Sequence, residues 1–368
     1  MKFSTARLPA MIIPASMAVL LSACGGSSSN GSATPVEESS TQGEIFGPFS
    51  TGSTSEPTTV YFDLDTQSTV ELTDEEAATD TTWDIAFRRT KVWLNTAQDS
   101  PVSLYFTGNN ADFFDADGNA IAEMFTAATA DSELEDYTAI TLADVPDAES
   151  FTTDEDAAVV GTSFYNYDMT THIVSAADDV YYIVFSDSNY TKFRVTDIQT
   201  TGREIGEITF EIAHQSVLDG QSEFAAAQTL TLQTEACTDD TYIDFDTQTT
   251  ATAADDWDLM LTCGDSGAAF SLTLADDATV IKTDGQTYSG IDSAAAPYMG
   301  FTSDAYTEYA FDAAPWYYYD GTTHLLYSQF GVYLIQVGEV TYKFQITSYY
   351  DDAGTSGNFS FRADAITE

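Results

Sequence analysis

Two histidines in the chain occupy matching settings. His172 and His324 each close a Tyr-Asp-x-Thr-Thr-His segment, and the tyrosines of these segments are Tyr167 and Tyr319. Imidazole and phenolate groups both bind iron, so each segment is a candidate ligand site. The Asp-x-Thr-Thr pattern also favours a hydrogen-bonded turn that enters a strand, with the histidine half exposed beside it. The residues alone leave both interpretations open.

Further aromatic and sulfur-containing side chains accompany the histidines. Tyr165 and Tyr317 lie two positions before the recurring tyrosines of the two segments and could bind iron or stack on a flat ring. Tyrosine is equally a common strand residue with a polar tip. Met169 offers a thioether, but the matching position of the second segment is Gly321, which favours a packing role for the methionine.

Basic residues are concentrated at one place in the chain. Arg88 and Arg89, together with Lys91, form its densest cationic cluster beyond the N-terminal segment. Such a cluster suits the carboxylates of an anionic ligand. Acidic residues are so abundant that pairing within the chain is the competing interpretation.

The sequence lacks a recognisable catalytic set. Residues 264–267 read Gly-Asp-Ser-Gly, but serine-protease chemistry also needs a histidine and an aspartate, and the surroundings of His214 do not resemble that histidine segment. Residues 113–118 contain part of a calcium-loop pattern, yet Phe113 and Met124 fill positions that need oxygen ligands. We therefore predict a turn at Asp117-Gly118. We also expect the protein to have no metal site and no enzymatic activity.

The candidate residues lie on a repeated sequence. Residues 165–184 match residues 317–336 at 9 of 20 positions without a gap, and residues 189–198 match 340–349 after one gap. Upstream, YFDLDTQ at 61–67 recurs as YIDFDTQ at 242–248, and each copy is followed by Trp-Asp, at 83–84 and 257–258. Internal repetition at this scale indicates a duplicated structural unit. We predict two tandem domains, at residues 45–217 and 224–368, with the boundary near 217–225.

The repeated segments have the pattern of antiparallel strands. Residues 180–185 form a short apolar run, and residues 192–196, 206–215, 343–347 and 357–365 alternate polar with apolar positions. Turns at 186–189 and 337–340 predict a hairpin in each copy. Helical signal is limited to residues 73–78 and 131–136. The prediction is an all-β protein of two antiparallel, β-sandwich-like domains with few short helices.

The N-terminal residues resemble an export signal. Lys2 and Arg7 precede an apolar run, and Leu-Ser-Ala-Cys follows at residues 21–24. This resembles a bacterial lipoprotein signal, with residues 1–23 removed and Cys24 lipidated. An ordinary signal peptide with a chance cysteine is the alternative. Residues 24–44 then form a flexible tether. We expect attachment to a lipid bilayer at the outer membrane or cell surface.

Charge and cysteine content narrow the functional classes. The 368 residues carry a formal net charge of -48, spread along the chain, which excludes nucleic acid as a partner. Besides Cys24, the chain has Cys237 and Cys263. An even pair in an exported chain predicts a disulfide, and two free thiols are the alternative.

Residues 83–95, WDIAFRRTKVWLN, resemble the signature strand of the HmuY family. The tyrosine-rich stretch, aromatic strand, Lys192-Phe193 and closing strand that follow agree with the pattern of that family. The resemblance covers most of residues 45–215 and more weakly residues 225–366. It implies a lipid-anchored, all-β surface protein that captures heme and passes it to an outer-membrane receptor.

The family's paired histidine ligands have no full counterpart, since the chain has no histidine between Asn95 and Phe164. The alternative function is a structural or adhesive surface module that kept the fold without heme. The candidate contacts to heme or a related tetrapyrrole are Tyr165, Tyr167, Met169, His172, Tyr317, Tyr319 and His324, with Arg88 and Arg89 for its propionates.

Overall fold

Antiparallel strands dominate the protein, as the sequence predicts. The structure, a computed structural model, describes residues 42–97, 101–177, 179–201, 204–234, 239–263, 270–283, 288–294 and 300–367. Three short α-helices are present in these ranges: α1 Asp74–Ala77, α2 Ala122–Ala127 and α3 Leu134–Ala139. The first and third agree with the two helical signals of the sequence, whereas α2 was not predicted.

The strands divide into two series along the chain. The first series is β1 Ile45–Ser50, β2 Val60–Asp63, β3 Ser68–Val70, β4 Ile85–Arg88, β5 Lys91–Leu94, β6 Ser103–Phe106, β7 Glu155–Ala158, β8 Tyr165–Tyr167, β9 Val174–Ala176, β10 Tyr181–Ser186, β11 Asn189–Thr201 and β12 Glu204–Gln215. The second is β13 Gln228–Gln233, β14 Thr241–Asp244, β15 Thr249–Ala251, β16 Leu259–Cys263, β17 Phe270–Leu274, β18 Thr279–Thr283, β19 Thr302–Ser303, β20 Ala305–Glu308, β21 Tyr317–Asp320, β22 Leu325–Ser328, β23 Tyr333–Val337, β24 Val340–Tyr350 and β25 Ser356–Ala365.

The two series build two equivalent sets of sheets. One set has the strand orders β1-β25-β24-β23-β6 and β3-β2-β4-β5 and the hairpin β21-β22. The other has β13-β12-β11-β10-β18-β19, β15-β14-β16-β17 and the hairpin β8-β9. Apart from β19, each strand of one set has a counterpart in the other. The duplication seen in the sequence therefore produces two lobes of the same design.

Each lobe combines strands from both sequence copies. The flanking lobe consists of the described residues within 45–154 and 309–367, and the central lobe consists of those within 159–304. Apolar side chains between the sheets form a separate core in each lobe, and each core draws on both copies. The predicted division at 217–225 follows the sequence repeat, whereas the cores follow this exchanged division. Strands β12 and β13, on either side of the predicted boundary, are hydrogen-bonded neighbours.

The chain passes between the lobes twice, at β7 and β20, and these two strands pair with each other. Their antiparallel register runs from Ala305 opposite Ala158 to Glu308 opposite Glu155. It is symmetric with respect to the two copies, because positions 155 and 305 are equivalent, as are positions 158 and 308. A buried aspartate precedes each crossing strand. Asp154 accepts hydrogen bonds from the Leu94 and Ala310 amides, both at 2.8 Å.

Asp304 plays the same part in the other lobe. It accepts hydrogen bonds from the amides of Val160 at 2.9 Å and Leu274 at 3.0 Å. In each case one amide belongs to the copy that carries the aspartate and the other amide to the opposite copy. The two carboxylates therefore fasten the crossing segments to the lobes that they join.

The repeated Trp-Asp pair has a structural explanation. Asp84 and Asp258 are buried and accept hydrogen bonds from the amides of Leu64 and Phe245, at 2.8 and 2.7 Å. These amides follow β2 and β14, in the repeated DTQ turns. Buried backbone amides need such partners, so the aspartates fix the turn to the neighbouring strand.

Candidate functional site

The candidate tyrosines and histidines lie on one hairpin in each lobe. In the central lobe β8 pairs with β9, with Tyr167 opposite Val174. In the flanking lobe β21 pairs with β22, with Tyr319 opposite Leu326. The histidines His172 and His324 belong to the loops that close these hairpins. Sequence spacing thus placed both segments correctly on a turn between strands.

The central-lobe loop is held by an aspartate. The Asp168 carboxylate accepts hydrogen bonds from the amides of Thr170 and Thr171, at 2.7 and 3.0 Å, and these bonds lower its pKa. The His172 amide donates to the Asp168 carbonyl at 2.7 Å, and His172 adopts a φ of 58°. Among residues with a Cβ, few types tolerate this left-handed conformation, and histidine is one of them. The predicted hydrogen-bonded turn is confirmed.

The flanking-lobe loop repeats this geometry. The Asp320 carboxylate accepts hydrogen bonds from the Thr323 hydroxyl at 2.7 Å and the Thr322 amide at 2.8 Å, which lower its pKa. The His324 amide donates to the Asp320 carbonyl at 2.8 Å, and His324 has a φ of 60°. The recurring Asp-x-Thr-Thr-His residues are thus sufficient to explain the recurring turn.

Each histidine also contacts the tyrosine five residues before it. The Tyr167 hydroxyl lies 2.6 Å from Nδ1 of His172, and the Tyr319 hydroxyl lies 2.6 Å from Nδ1 of His324. Among the described residues, no group hydrogen-bonds to Nε2 of either histidine. A ligand histidine commonly has its second nitrogen held by a hydrogen bond, which fixes the ring and its tautomer. Each pair therefore presents one oriented imidazole nitrogen and one phenol oxygen at the hairpin tip.

The tips are accessible and partly apolar. Tyr167 is 47% exposed and Tyr319 is 50% exposed. In the central lobe Met169 and Ile173 belong to the same loop and are 77% and 60% exposed, so Met169 does not have the packing role that the sequence favoured. In the flanking lobe Leu325 is 40% exposed, and Gly321 takes the place of Met169. The central tip consequently offers more apolar surface to a ligand.

The other two candidate tyrosines have packing roles. Tyr165 packs against the central core, with its ring 4.7 Å from that of Phe270. Tyr317 packs against the flanking core, with its ring 4.9 Å from that of Trp316. Neighbouring aromatic residues occupy the faces of these two rings. Tyr165 and Tyr317 therefore pack at the base of each hairpin and do not belong to the exposed Tyr–His pairs.

The two candidate arginines both have protein partners. Arg88 forms an ion pair with Asp74 at 2.8 Å, in agreement with the interpretation that the basic cluster is paired within the chain. Arg89 donates to the carbonyls of Gly52 and Ser356, at 2.7 and 3.1 Å, and lies over the Tyr349 ring. Arg89 therefore connects the loop after β1 to the start of β25.

Several predictions concern residues outside the described ranges. Cys24, its signal and most of its tether are among them, as are Cys237 and residues 264–267. Cys263 is disulfide-bonded, while its predicted partner Cys237 stays a prediction. At residues 113–118 the expected turn is confirmed, because Asp115 accepts hydrogen bonds from the amides of Asp117 and Asn119.

The described residues contain neither a metal-binding cluster of side chains nor a membrane-spanning helix. No group of three or more histidine, cysteine or acidic side chains in these ranges has an arrangement that could hold a metal ion. Within the same ranges, no helix is long and apolar enough to cross a membrane.

Residues 55–212 match the family model of the HmuY protein. No curated protein matches the chain. The matched segment runs from before β2 into β12, so it covers the first copy of the repeat. Its described residues in 55–154 belong to the flanking lobe, and those in 159–212 belong to the central lobe.

Three solved structures are similar to parts of the chain. A HmuY-like heme-binding protein from Bacteroides vulgatus is 14% identical, with 35% of this chain and 86% of that chain covered and a TM-score of 0.16. A lipoprotein from Bacteroides fragilis is 14% identical, with 46% and 96% covered and a TM-score of 0.17. The apo HmuY analog of Tannerella forsythia is 10% identical, with 58% and 96% covered and a TM-score of 0.16.

Proposed function

We propose that this chain is a non-catalytic surface lipoprotein that binds heme or a related tetrapyrrole at its hairpin tips. The observation that carries the proposal is the exposed Tyr–His pair, with 2.6 Å between Oη and Nδ1, at the same place in both lobes. Either side chain can bind ferric iron, and its partner can hold it in position through the hydrogen bond. The HmuY family match to residues 55–212 supports the same class of ligand.

The central hairpin is the stronger of the two proposed sites. A porphyrin ring needs apolar contact as well as an axial ligand, and Met169 and Ile173 supply it beside His172. The Met169 thioether is also a possible second iron ligand. The flanking hairpin has only Leu325 in the corresponding region. We therefore expect one tight and one weaker equivalent of heme per chain.

The test is a titration of the protein with ferric heme, followed in the Soret band. Saturation within two equivalents, with the tighter phase removed by the double variant Tyr167→Phe/His172→Ala, is the expected result. The double variant at Tyr319 and His324 should remove only the weaker phase. His214→Gln is the matched control, because His214 hydrogen-bonds Thr191 within the central sheet and should leave the spectrum unchanged.

A broad change without saturation would reject heme as the ligand. A saturable spectrum that both double variants leave intact would instead reject the hairpin tips as its site. Ferric protoporphyrin and metal-free protoporphyrin, compared in the same titration, separate iron ligation from ring stacking.

The proposal includes attachment to a bilayer through Cys24 and delivery of heme to an outer-membrane receptor. Support comes from the Leu-Ser-Ala-Cys segment, which resembles a lipoprotein signal. Two or three acyl chains give stable anchoring, since each buried methylene contributes about 0.8 kcal/mol. Labelled palmitate should enter the wild-type chain and not Cys24→Ala, and the variant should leave the membrane fraction. Incorporation at unchanged level would contradict the anchor.

One observation favours a second function, a structural or adhesive surface module. His172 and His324 have positive φ values, so the turn by itself accounts for their recurrence. Under this alternative the heme titration fails to saturate, while the fold and the anchor are kept.

A further inference from the structure

A cleft of about 540 Å³ lies in the flanking lobe, beside the strands that cross between lobes. This volume falls in the range of about 300–1,000 Å³ that is typical of small-molecule sites. Trp93 on β5 and Tyr309 after β20 supply aromatic walls, with ring centroids 6.5 Å apart. Asp156 on β7 and Thr307 on β20, which are opposite each other in register, line the floor of the crossing.

Four polar groups in the cleft have no hydrogen-bond partner among the described residues. Among the described residues, none hydrogen-bonds to the Trp93 indole N–H, the Tyr309 hydroxyl, the Thr307 hydroxyl or the Asp156 carboxylate. The cleft thus combines two half-exposed aromatic rings with uncommitted donors and acceptors. Such a combination suits a ligand that has apolar faces and a polar edge.

The charges around the cleft nearly cancel. Arg88 pairs with Asp74 at 2.8 Å at one side, and the Lys91 ammonium lies 5.0 Å from the centre of the Tyr309 ring at another. Asp154 and Asp156 also line the cleft, so three acidic side chains accompany the two basic ones. The chain has only 11 basic residues against 59 acidic ones, so two basic residues at one cleft are a local exception. A neutral ligand fits this balance better than a cation or an anion.

The fold itself does not require the aromatic and basic residues of the cleft that differ between the lobes. In the central lobe the strand registers place Thr262 where the flanking lobe has Arg88, Ser271 in place of Lys91, and Thr273 in place of Trp93. The hydrogen bonds of the paired aspartates likewise set Val159 against Tyr309. The packing of Trp83 on Tyr61, in contrast, recurs as Trp257 on Tyr242. The frame is kept in both lobes, while the aromatic and cationic lining is present in one.

We propose that this cleft binds a neutral saccharide. The apolar C–H face of a sugar ring stacks on Trp93 or Tyr309, and its hydroxyls bond to Asp156, Thr307 and the Arg88–Asp74 pair. The site is separate from the hairpin tips, so it adds a second ligand class to the heme function proposed above. A surface protein with both sites would bind glycans as well as its tetrapyrrole.

The test uses four probes, namely maltotriose, cellotriose, laminaritriose and triacetylchitotriose. Each is titrated into the full chain, with tryptophan fluorescence and ligand-detected NMR as readouts. We expect saturable binding of at least one probe, with a Kd of about 1 mM or tighter. Trp93→Ala and Arg88→Gln should each weaken it at least about tenfold. Thr273→Ala, at the position equivalent to Trp93, is the matched control and should bind like wild type.

Two results would overturn the saccharide proposal. One is the absence of saturable binding by all four probes at concentrations of about 10 mM. The other is binding that survives in both cleft variants while their circular dichroism matches wild type. Because Arg88→Gln removes only a half-exposed ion pair, that variant tests the site even where Trp93→Ala fails to fold.

Discussion

The flanking and central lobes share a frame and differ in what the frame carries. Apart from β19, both have the same strand order, and both have the same buried aspartates and the same Tyr–His hairpin. Only the flanking lobe lines its crossing region with Trp93, Arg88 and Tyr309, and only the central lobe has Met169 at its hairpin tip. Comparison of the two lobes thus distinguishes residues that the fold needs, which recur in both, from residues that the fold only tolerates, which differ between them.

Two buried lysines show how closely the frame is kept. Lys192 donates to the carbonyls of Tyr288 and Ile291, and Lys343 donates to those of Tyr137 and Ile140. Each ammonium also lies over the ring of its tyrosine, at 4.6 and 4.7 Å. Burial lowers the pKa of both lysines. In both lobes a strand of one copy is thereby tied to a helical turn of the other copy.

The largest effect is expected from the aspartates at the crossing. Asp154→Ala leaves the amides of Leu94 and Ala310 without partners, and Asp304→Ala does the same to Val160 and Leu274. Each substitution should lower the free energy of unfolding by about 2–4 kcal/mol, measured by denaturant titration. Similar losses for the two variants support equivalent lobes. A loss confined to one variant would break the comparison.

A smaller effect should appear in the pH dependence of stability. Burial raises the pKa of Asp154 to about 6, against the opposing hydrogen bonds from the Leu94 and Ala310 amides. The folded state therefore binds more protons than the unfolded state between about pH 4 and about pH 6, and wild-type stability falls as the pH rises through that window. Relative to Asp154→Asn, which does not titrate there, the fall should be at most about 3 kcal/mol. If the stability of wild type and of Asp154→Asn changed in parallel with pH, the titration of Asp154 would not be the cause of the fall.

The smallest effect is expected when the flanking lobe receives a residue of the central lobe. Arg88→Thr removes an ion pair whose side chains are 41% and 60% exposed, so stability should change by less than about 0.5 kcal/mol. Thr262→Ala, at the equivalent position of the central lobe, is the matched control. A large loss in thermal or denaturant stability would mean that the fold needs Arg88, which would weaken the case for the cleft as a binding site.

Much of the fold could be predicted from local patterns. The alternating segments predicted the long strands β11, β12, β24 and β25, and the turns at 186–189 and 337–340 predicted their hairpins. The helical signal at residues 73–78 likewise predicted α1, and the structure shows that Thr73 and Glu76 form a capping box at its start. These signals are local, because they depend on side-chain alternation and on backbone hydrogen bonds within a few residues.

The gapless sequence alignment of the two copies is shifted by one residue in the strand that follows the hairpin. Without a gap, Tyr181 aligns with Tyr333, but the strand registers make Tyr182 the partner of Tyr333. Tyr182 and Tyr333 each face the main core of their lobe, whereas Tyr181 faces a separate cluster. A shift of one residue turns every side chain of a strand to the other face, and identity alone does not detect it.

The candidate site was predicted in part. The sequence placed the tyrosines and histidines on matching turns, but the Tyr–His contact depends on the left-handed backbone of His172 and His324. Trp93 and Tyr309 were not singled out, because they are 216 positions apart and meet only where β5 lies beside the crossing strands. The available signal was that neither aromatic residue recurs at the equivalent position of the other copy, Thr273 for Trp93 and Val159 for Tyr309, once the register is known.

By itself the sequence determined the all-β class, the duplication and the turn chemistry, since each depends on residue type and short spacing. It could not decide which half of one copy packs with which half of the other. Contacts such as Lys192 with Tyr288 would be equally suitable between Lys192 and Tyr137, because the two copies carry the same residues at these positions. Only the tertiary structure made that choice, through the path of the connections that place β7 beside β20.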